Sequence, residues 1–320
     1  MRDAHGRVID YMRVSITDRC NLRCNYCMPH ELEPLSHDDI LRYEEILRVC
    51  QVTAKLGVKT IRVTGGEPLT RRGCVDFIRE LKAVPGIAHV SMTTNAVLLE
   101  PYIDELAALK LGGLNLSLDS LNPETYKKIT GRDAFPQVWR ALNKAVDAGL
   151  RVKVNCVPIR DQNDHELLPI ARLAETMPID VRFIELMPAD GSDKLKGIPG
   201  DEILDMLQRE YPDMKPDNAK RGFGPARYFK SKSLQGGIGF IDAISNHFCT
   251  NCNRLRLTSE GFLKLCLHHG GGLDLRNMLR SGASDADIEH AIAAATLQKP
   301  EAHCFGESET GINKMSQIGG

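Results

Sequence analysis

The 320-residue sequence has no long apolar run. No stretch approaches the ~18 consecutive apolar residues that span a bilayer, and residues 1–11 hold no apolar segment of the secretory kind. A cytoplasmic protein without membrane contact is the expectation. Net charge is also lacking: 41 Lys and Arg against 42 Asp and Glu leave −1. Nothing in that balance draws the whole molecule to nucleic acid, so any basic site must be local. Internal repeats and low-complexity linkers are absent too, and the last third is expected to pack onto the first. What is present is an ordinary globular composition, 42% hydrophobic and 26% charged, enough to bury a core in one large domain or two moderate ones. Ten cysteines in a reducing compartment read as metal ligands or core residues rather than disulfides.

Short β-rich runs alternate with helical patterns. The runs are 13–17, 60–64, 89–93, 114–118, 151–157 and 180–185. Between them Ile40, Tyr43, Leu47, Cys50 and Ala54 step by three and four, as one helical face does. Phe135, Val138, Trp139, Leu142 and Val146 repeat the step, with Gly149 as a C-terminal stop. About six β-then-α units predict an α/β fold with a parallel sheet, either a barrel or a doubly wound sheet. Past Tyr211 the pattern changes. Residues 212–240 read as loop or short hairpins, 247–272 are dense in Cys, His and Gly, and a last helix is expected near Asp285–Leu297.

Alternate strand residues face opposite sides. One parity is apolar: Val14 and Ile16, Ile61 and Val63, Val90 and Met92, Leu114 and Leu116, Val152 and Val154. The other is polar: Arg13 and Ser15, Arg62 and Thr64, Ser91 and Thr93, Asn115 and Ser117, Lys153 and Asn155. Parallel strands covered on both faces usually read apolar throughout. A barrel whose lumen holds a large polar ligand explains the split; an open sheet with one wet face is the alternative.

Cys20, Cys24 and Cys27 form C-x3-C-x2-C just after the first strand, at the rim where barrel active sites gather. Three thiolates on a four-iron cluster leave one iron open to a small molecule. Structural zinc sites usually carry four ligands. Thr64-Gly65-Gly66-Glu67-Pro68 follows the second strand, two glycines permitting close backbone approach and a carboxylate suited to an ammonium group. Together the two motifs resemble the signature of the radical S-adenosylmethionine superfamily. The resemblance implies a 4Fe–4S cluster on these cysteines, with S-adenosylmethionine on its open iron, split by one electron to a 5′-deoxyadenosyl radical. It also implies S-adenosylmethionine contacts at Tyr26, Gly65, Gly66, Glu67, Ser117 and Met187.

Cys249, Cys252 and Cys266 form C-x2-C-x13-C. From spacing alone, zinc with His268 or His269 as fourth ligand rivals iron. The existing cluster motif and the Arg254-Leu255-Arg256 run tilt the reading to iron beside an anionic ligand. The whole set, with the terminal Gly319-Gly320, resembles the GTP 3′,8-cyclase family of molybdenum-cofactor biosynthesis. Stretches 15–20, 182–187 and 248–257 fit residue by residue. The resemblance implies a partial TIM-type barrel over 1–235, with a C-terminal iron–sulfur region over 236–320 closing its mouth. A second 4Fe–4S cluster there would engage the guanine of GTP. GTP contacts are then expected at Arg13, Arg62, Thr93, Lys153, Arg182, Arg254, Leu255 and Arg256, with Gly319 and Gly320 inserted toward the site. The implied chemistry removes hydrogen from C3′, joins C3′ to C8 and ends in a one-electron reduction through the second cluster. An external one-electron reductant, a homodimer and hand-over to the next molybdopterin enzyme are also implied.

Ala96 stands where the family has glycine, so that turn is expected to avoid positive φ, and 213–234 match least. Cys50 and Cys156 read as core, Cys74 and Cys304 have no partner at ligand spacing, and Gly270–Gly272 read as a turn. Two other functions stay open at this stage: a peptide-modifying radical enzyme with an auxiliary cluster, and a non-enzymatic metal protein.

Overall fold

The computed structural model describes residues 1–27, 35–187 and 194–303; Cys304, Gly319 and Gly320 lie outside them. The described residues hold twelve strands in chain order: β1 (Tyr11–Ser15), β2 (Thr60–Thr64), β3 (His89–Thr94), β4 (Leu114–Ser117), β5 (Val152–Cys156), β6 (Asp180–Ile184), β7 (Lys215–Asp217), β8 (Arg227–Lys230), β9 (Ile238–Ile241), β10 (Arg254–Leu257), β11 (Phe262–Lys264) and β12 (Gly272–Asp274). The chain forms two compact units. The first comprises the described residues of Met1–Asn21, His30–Met92 and Cys249–Gly320, and the second those of Leu22–Pro29 and Thr93–Phe248. No helix among the described residues is long and apolar enough to cross a membrane.

In the first unit β10, β1, β2 and β3 pair in parallel, and β11 and β12 add antiparallel strands beyond β10. In the second, β4, β5, β6 and β9 are parallel, with β8 and β7 antiparallel at the far side. The six expected βα strands are all present, within two residues at each end. The C-terminal region does more than the sequence indicated. It supplies β9 beside β6 and β10 beside β1, both parallel, so the segment after Cys252 belongs to the sheet itself.

The apolar parity is the core face. Val14, Ile61, Val63, Met92, Leu114, Leu116 and Val154 are fully buried, each contributing about 1.5–3 kcal/mol by transfer from water. The helix Tyr43–Lys55 turns a different stripe inward from the one its spacing suggested. Ile46, Val49, Cys50 and Thr53 are buried, whereas Leu47 and Ala54 are half-exposed. Ile40 precedes the helix, and the Arg42 N–H donates to Glu45 Oε2 (2.6 Å), which closes its first turn. The helix Phe135–Asp147 buries Val138, Ala141, Leu142 and Ala145, and Gly149 follows its cap at φ 72°.

One expectation fails outright. Ala96 has φ 65°. Its N–H donates to Thr94 Oγ1 (3.0 Å) and the Val97 N–H to Asn95 Oδ1 (3.1 Å). These two side-chain turns hold the left-handed conformation against roughly 1–2 kcal/mol of Cβ strain.

Candidate active site

The first cysteine run lies on the loop after β1. The second motif meets the segment that leads into Cys20. The Gly66 N–H donates to the Thr17 carbonyl (2.7 Å) and the Glu67 N–H to that of Arg19 (2.8 Å), with Cys20 next in chain. A Cβ on Gly66 would stand 2.3 Å from the Arg19 oxygen, and one on Gly65 2.6 Å from that of Thr17. The glycines therefore let the backbone approach the 17–19 loop. Glu67 is 1% exposed, and its Oε1 accepts from the Leu69 N–H (3.1 Å). Gly66→Ala is expected to cost about 3 kcal/mol, because backbone meets backbone and neither can yield cheaply. A thermal melt within 1 kcal/mol of wild type would contradict this.

Cys24 and Cys27 sit in the second unit, in one tight turn closed by the Cys27 N–H on the Cys24 carbonyl (3.0 Å). Between them Tyr26 donates its hydroxyl to Asp119 Oδ2 (2.7 Å). Asp119 stands at the carboxyl end of β4. Its Oδ1 accepts from the Val157 N–H (2.8 Å) and its carbonyl from Asn163 Nδ2 (2.7 Å). The sequence reading passed over this residue, although a carboxylate just past a parallel strand is a recognisable signal. Burial pushes the Asp119 carboxyl up to about 6, against the two hydrogen bonds that favour its ionised form.

Folding thus opposes ionisation of Asp119. The stability that this raised value contributes is fully present below the unfolded value near 3.9 and falls as pH rises from about 4 through about 6, by roughly 1.4 kcal/mol per unit. Chemical denaturation across that window should show this slope in wild type and lose it in Asp119→Asn. Equal slopes would remove Asp119 as the cause. Elsewhere in the second unit, Ser117 ends β4 half-buried and Met187 follows β6. Thr93 accepts from Asn115 Nδ2 (3.4 Å).

The polar parity of the first unit forms one row. Lys264 on β11 is in register with Arg256 on β10, Arg256 with Arg13 on β1, and Arg13 with Arg62 on β2. Neighbouring strands lie ≈ 4.7–4.9 Å apart, so four cations stand side by side on one face. Arg254 and Tyr11 form the next rung, and Arg62 lies over the Tyr11 ring at 5.8 Å. Like charges directly opposite one another are destabilising. Burial and then Arg256 hold the Arg13 guanidinium well below its usual range, and burial and then Arg254 bring Arg256 to about 10. Arg62 Nε is buried with no hydrogen-bond partner among the described residues. Lys264 is 1% exposed, and none of its interactions is with a carboxylate among the described residues. A polyanion seated on this row would offset the like-charge repulsion along it. Lys264 escaped the sequence reading because its partner Arg256 lies eight residues away, across a hairpin whose register the sequence does not display. Leu255 points the other way and is fully buried.

Lys153 differs from these. Its Nζ meets Asp180 Oδ2 (2.5 Å) and the Tyr228 hydroxyl (2.9 Å). Asp180 also takes Arg221 (2.6 Å), which Asp217 holds from the other side (2.6 Å). Lys153 therefore carries its own countercharge. Arg182 Nε donates to Asn155 Oδ1 (2.9 Å) on the neighbouring strand.

The second cysteine set belongs wholly to the first unit. Cys249 and Cys252 share a turn through the Cys252 N–H on the Cys249 carbonyl (3.1 Å), and Cys266 follows β11. Burial raises the Cys252 thiol, but the charges of Arg254 and Lys299 and the Arg254 hydrogen bonds outweigh it and bring it to about 7. A thiol so placed favours the thiolate that ligates iron. Among the described residues no three His, Cys, Asp or Glu side chains converge on a point for a single ion. His269 Nε2 contacts the Ala302 carbonyl (3.0 Å). The donor set fits an iron–sulfur cluster, whose thiolates stand on separate irons.

Known proteins give the site its context. Residues 14–174 match the Radical SAM superfamily, and residues 179–305 match Molybdenum Cofactor Synthesis C. A GTP 3′,8-cyclase of Clostridium perfringens is 41% identical over the full length of both chains, and one of Moorella thermoacetica 44%. Streptococcus suis SuiB, solved with S-adenosylmethionine, superposes with a TM-score of 0.62 at 14% identity, over 93% of this chain and 73% of that one. This likeness carries the fold, an α/β architecture with a mainly parallel sheet, consistent with the expected partial TIM-type barrel. With both halves matched in order and the likeness running end to end, the chain belongs to the radical SAM superfamily and, within it, to the GTP 3′,8-cyclase family.

Proposed function

We propose that this protein converts GTP to (8S)-3′,8-cyclo-7,8-dihydroguanosine 5′-triphosphate, the first step of molybdenum-cofactor biosynthesis. The observation that carries the reading is the registered row Lys264, Arg256, Arg13 and Arg62 beside the second cysteine set, within a full-length member of that family. A triphosphate of about four negative charges fits such a row, and each guanidinium can take two phosphate oxygens. The peptide-modifying alternative has no use for it.

Cys20, Cys24 and Cys27 would hold the first 4Fe–4S cluster, and Cys249, Cys252 and Cys266 the second. The first cluster with S-adenosylmethionine supplies, when bound, the electron that splits the sulfonium and the adenosyl radical that takes hydrogen from C3′. The chain's own residues do the rest. Gly65, Gly66 and Glu67 shape the rim beneath the first cysteines. Tyr26, held by Asp119, with Ser117 and Met187, would flank the adenosyl group. The cation row would fix the triphosphate, Arg254 the end nearest the second set, and Thr93 the ribose. Lys153, already paired with Asp180, and Arg182, held by Asn155, would contact the nucleotide as well. Gly319 and Gly320 would enter the site from the C-terminus. We assign the radical-forming part to residues 1–235 and the second-cluster part to 236–320. A cytoplasmic homodimer, fed by an external one-electron reductant and passing product to the next molybdopterin enzyme, completes the proposal.

The test is anaerobic. Protein reconstituted with iron and sulfide receives dithionite, S-adenosylmethionine and GTP, and mass spectrometry follows 5′-deoxyadenosine and an isomer of GTP. Both should appear together. 5′-Deoxyadenosine with untouched GTP would leave the radical chemistry and sink the substrate; neither product, with about eight irons per chain, would sink both.

A further inference from the structure

Lys299 follows the last helix, Asp285–Leu297, and is 3% exposed. Its Nζ donates to the Arg254 carbonyl (3.0 Å) and to that of Leu265. Those carbonyls belong to the two segments that carry ligands: Arg254 opens β10 two residues after Cys252, and Leu265 immediately precedes Cys266. The flanking residues are anchored as well. Arg7, paired with Asp3 (2.5 Å), donates to the carbonyls of Cys249 (2.8 Å), Glu301 (2.8 Å) and Pro300 (2.6 Å).

A buried ammonium whose hydrogen bonds go to two neutral carbonyls is held against its desolvation cost. No carboxylate pairs with Lys299 among the described residues. The negative groups that act on it are Cys252 and Cys266, while Arg7 and Arg254 oppose it. Thiolate sulfur on Cys252 and Cys266 would balance the charge that the two carbonyls hold in place.

We infer that Lys299 is a positioning residue that clasps the segments bearing Cys252 and Cys266 and holds a fixed positive charge against the cluster they bind. The inference rests on the iron–sulfur reading of that cysteine set. Cluster potentials follow net charge, hydrogen bonding and exposure. A fixed cation favours the reduced, more negative form, so Lys299 makes the second cluster easier to reduce than its ligands alone would.

The experiment is a potentiometric titration of the reconstituted holoprotein without substrates, followed by electron paramagnetic resonance, with iron counted per chain. About four irons in wild type would overturn the two-cluster reading itself. With about eight, Lys299→Met should move one of the two transitions to more negative potential and leave the other in place, or lose about half the iron while the chain still melts cooperatively. Lys299→Arg keeps the charge and should keep the wild-type potential. Two unmoved transitions in Lys299→Met, both moving alike, or a Lys299→Arg shift as large as that of Met would each overturn the inference. Should Lys299→Met not fold, Lys299→Arg decides alone: a retained potential supports the clasp and a shifted one ends it.

Discussion

Cys24→Ala is expected to lower 5′-deoxyadenosine formation at least about a thousandfold and to remove about half of the bound iron. On the proposed assignment three thiolates would hold the first cluster, and two could not present the open iron that S-adenosylmethionine needs. The loss should be local. The turn around Cys24 is closed by backbone, the Cys27 N–H on the Cys24 carbonyl, and alanine leaves that bond intact. The second set lies in the other unit, and its iron should remain. Melting should stay close to that of cluster-depleted wild type. Radical formation in Cys24→Ala above about a tenth of the wild-type rate would remove Cys24 from the ligand set.

Lys264→Met is expected to act in opposite directions on stability and on substrate. In the free protein Lys264 is a nearly inaccessible cation facing Arg256 on the adjoining strand. Burial and then Arg256 push its ammonium below the ordinary lysine range, the sign of a charge held at a cost. Methionine has similar length and no charge. Replacing such a buried cation should stabilise the substrate-free protein by about 1–3 kcal/mol. The same change removes one of four charges from the row proposed to hold the triphosphate, so the KM for GTP should rise by roughly 10–100-fold, with a shallower dependence on salt. Melts without GTP and turnover against GTP concentration read the two effects separately. A destabilised variant with unchanged KM would make Lys264 a packing residue and leave the row with three members.

Strand and helix periods are local, and they were legible: β2 and the last helix begin and end where the pattern places them. The alternation of apolar and polar parity was legible for the same reason, since it follows from the pleat alone. Cys20, Cys24 and Cys27, the Gly-Gly-Glu-Pro turn and the second cysteine set were visible as spacing within a few residues. The inward stripe of Tyr43–Lys55 was less so, because which face of a helix is buried depends on what packs against it after folding.

The sequence by itself determined the chemistry, through thiolates at fixed local spacing and glycines where backbone must meet backbone. Only the tertiary structure decided which charges work together. Arg13 lies more than two hundred residues from Arg256, and pairing β1 with β10 is what sets them side by side. Lys153 has Asp180 opposite it only because β6 pairs with β5 in that register. Ala96 was an apparent bar to positive φ until two side-chain turns held it there. Lys299 acquires its role from two carbonyls that no sequence window contains together with it. The physical reason is common to all four. Periodicity and turn chemistry act over a few bonds, whereas register and countercharge are properties of segments that meet only after folding.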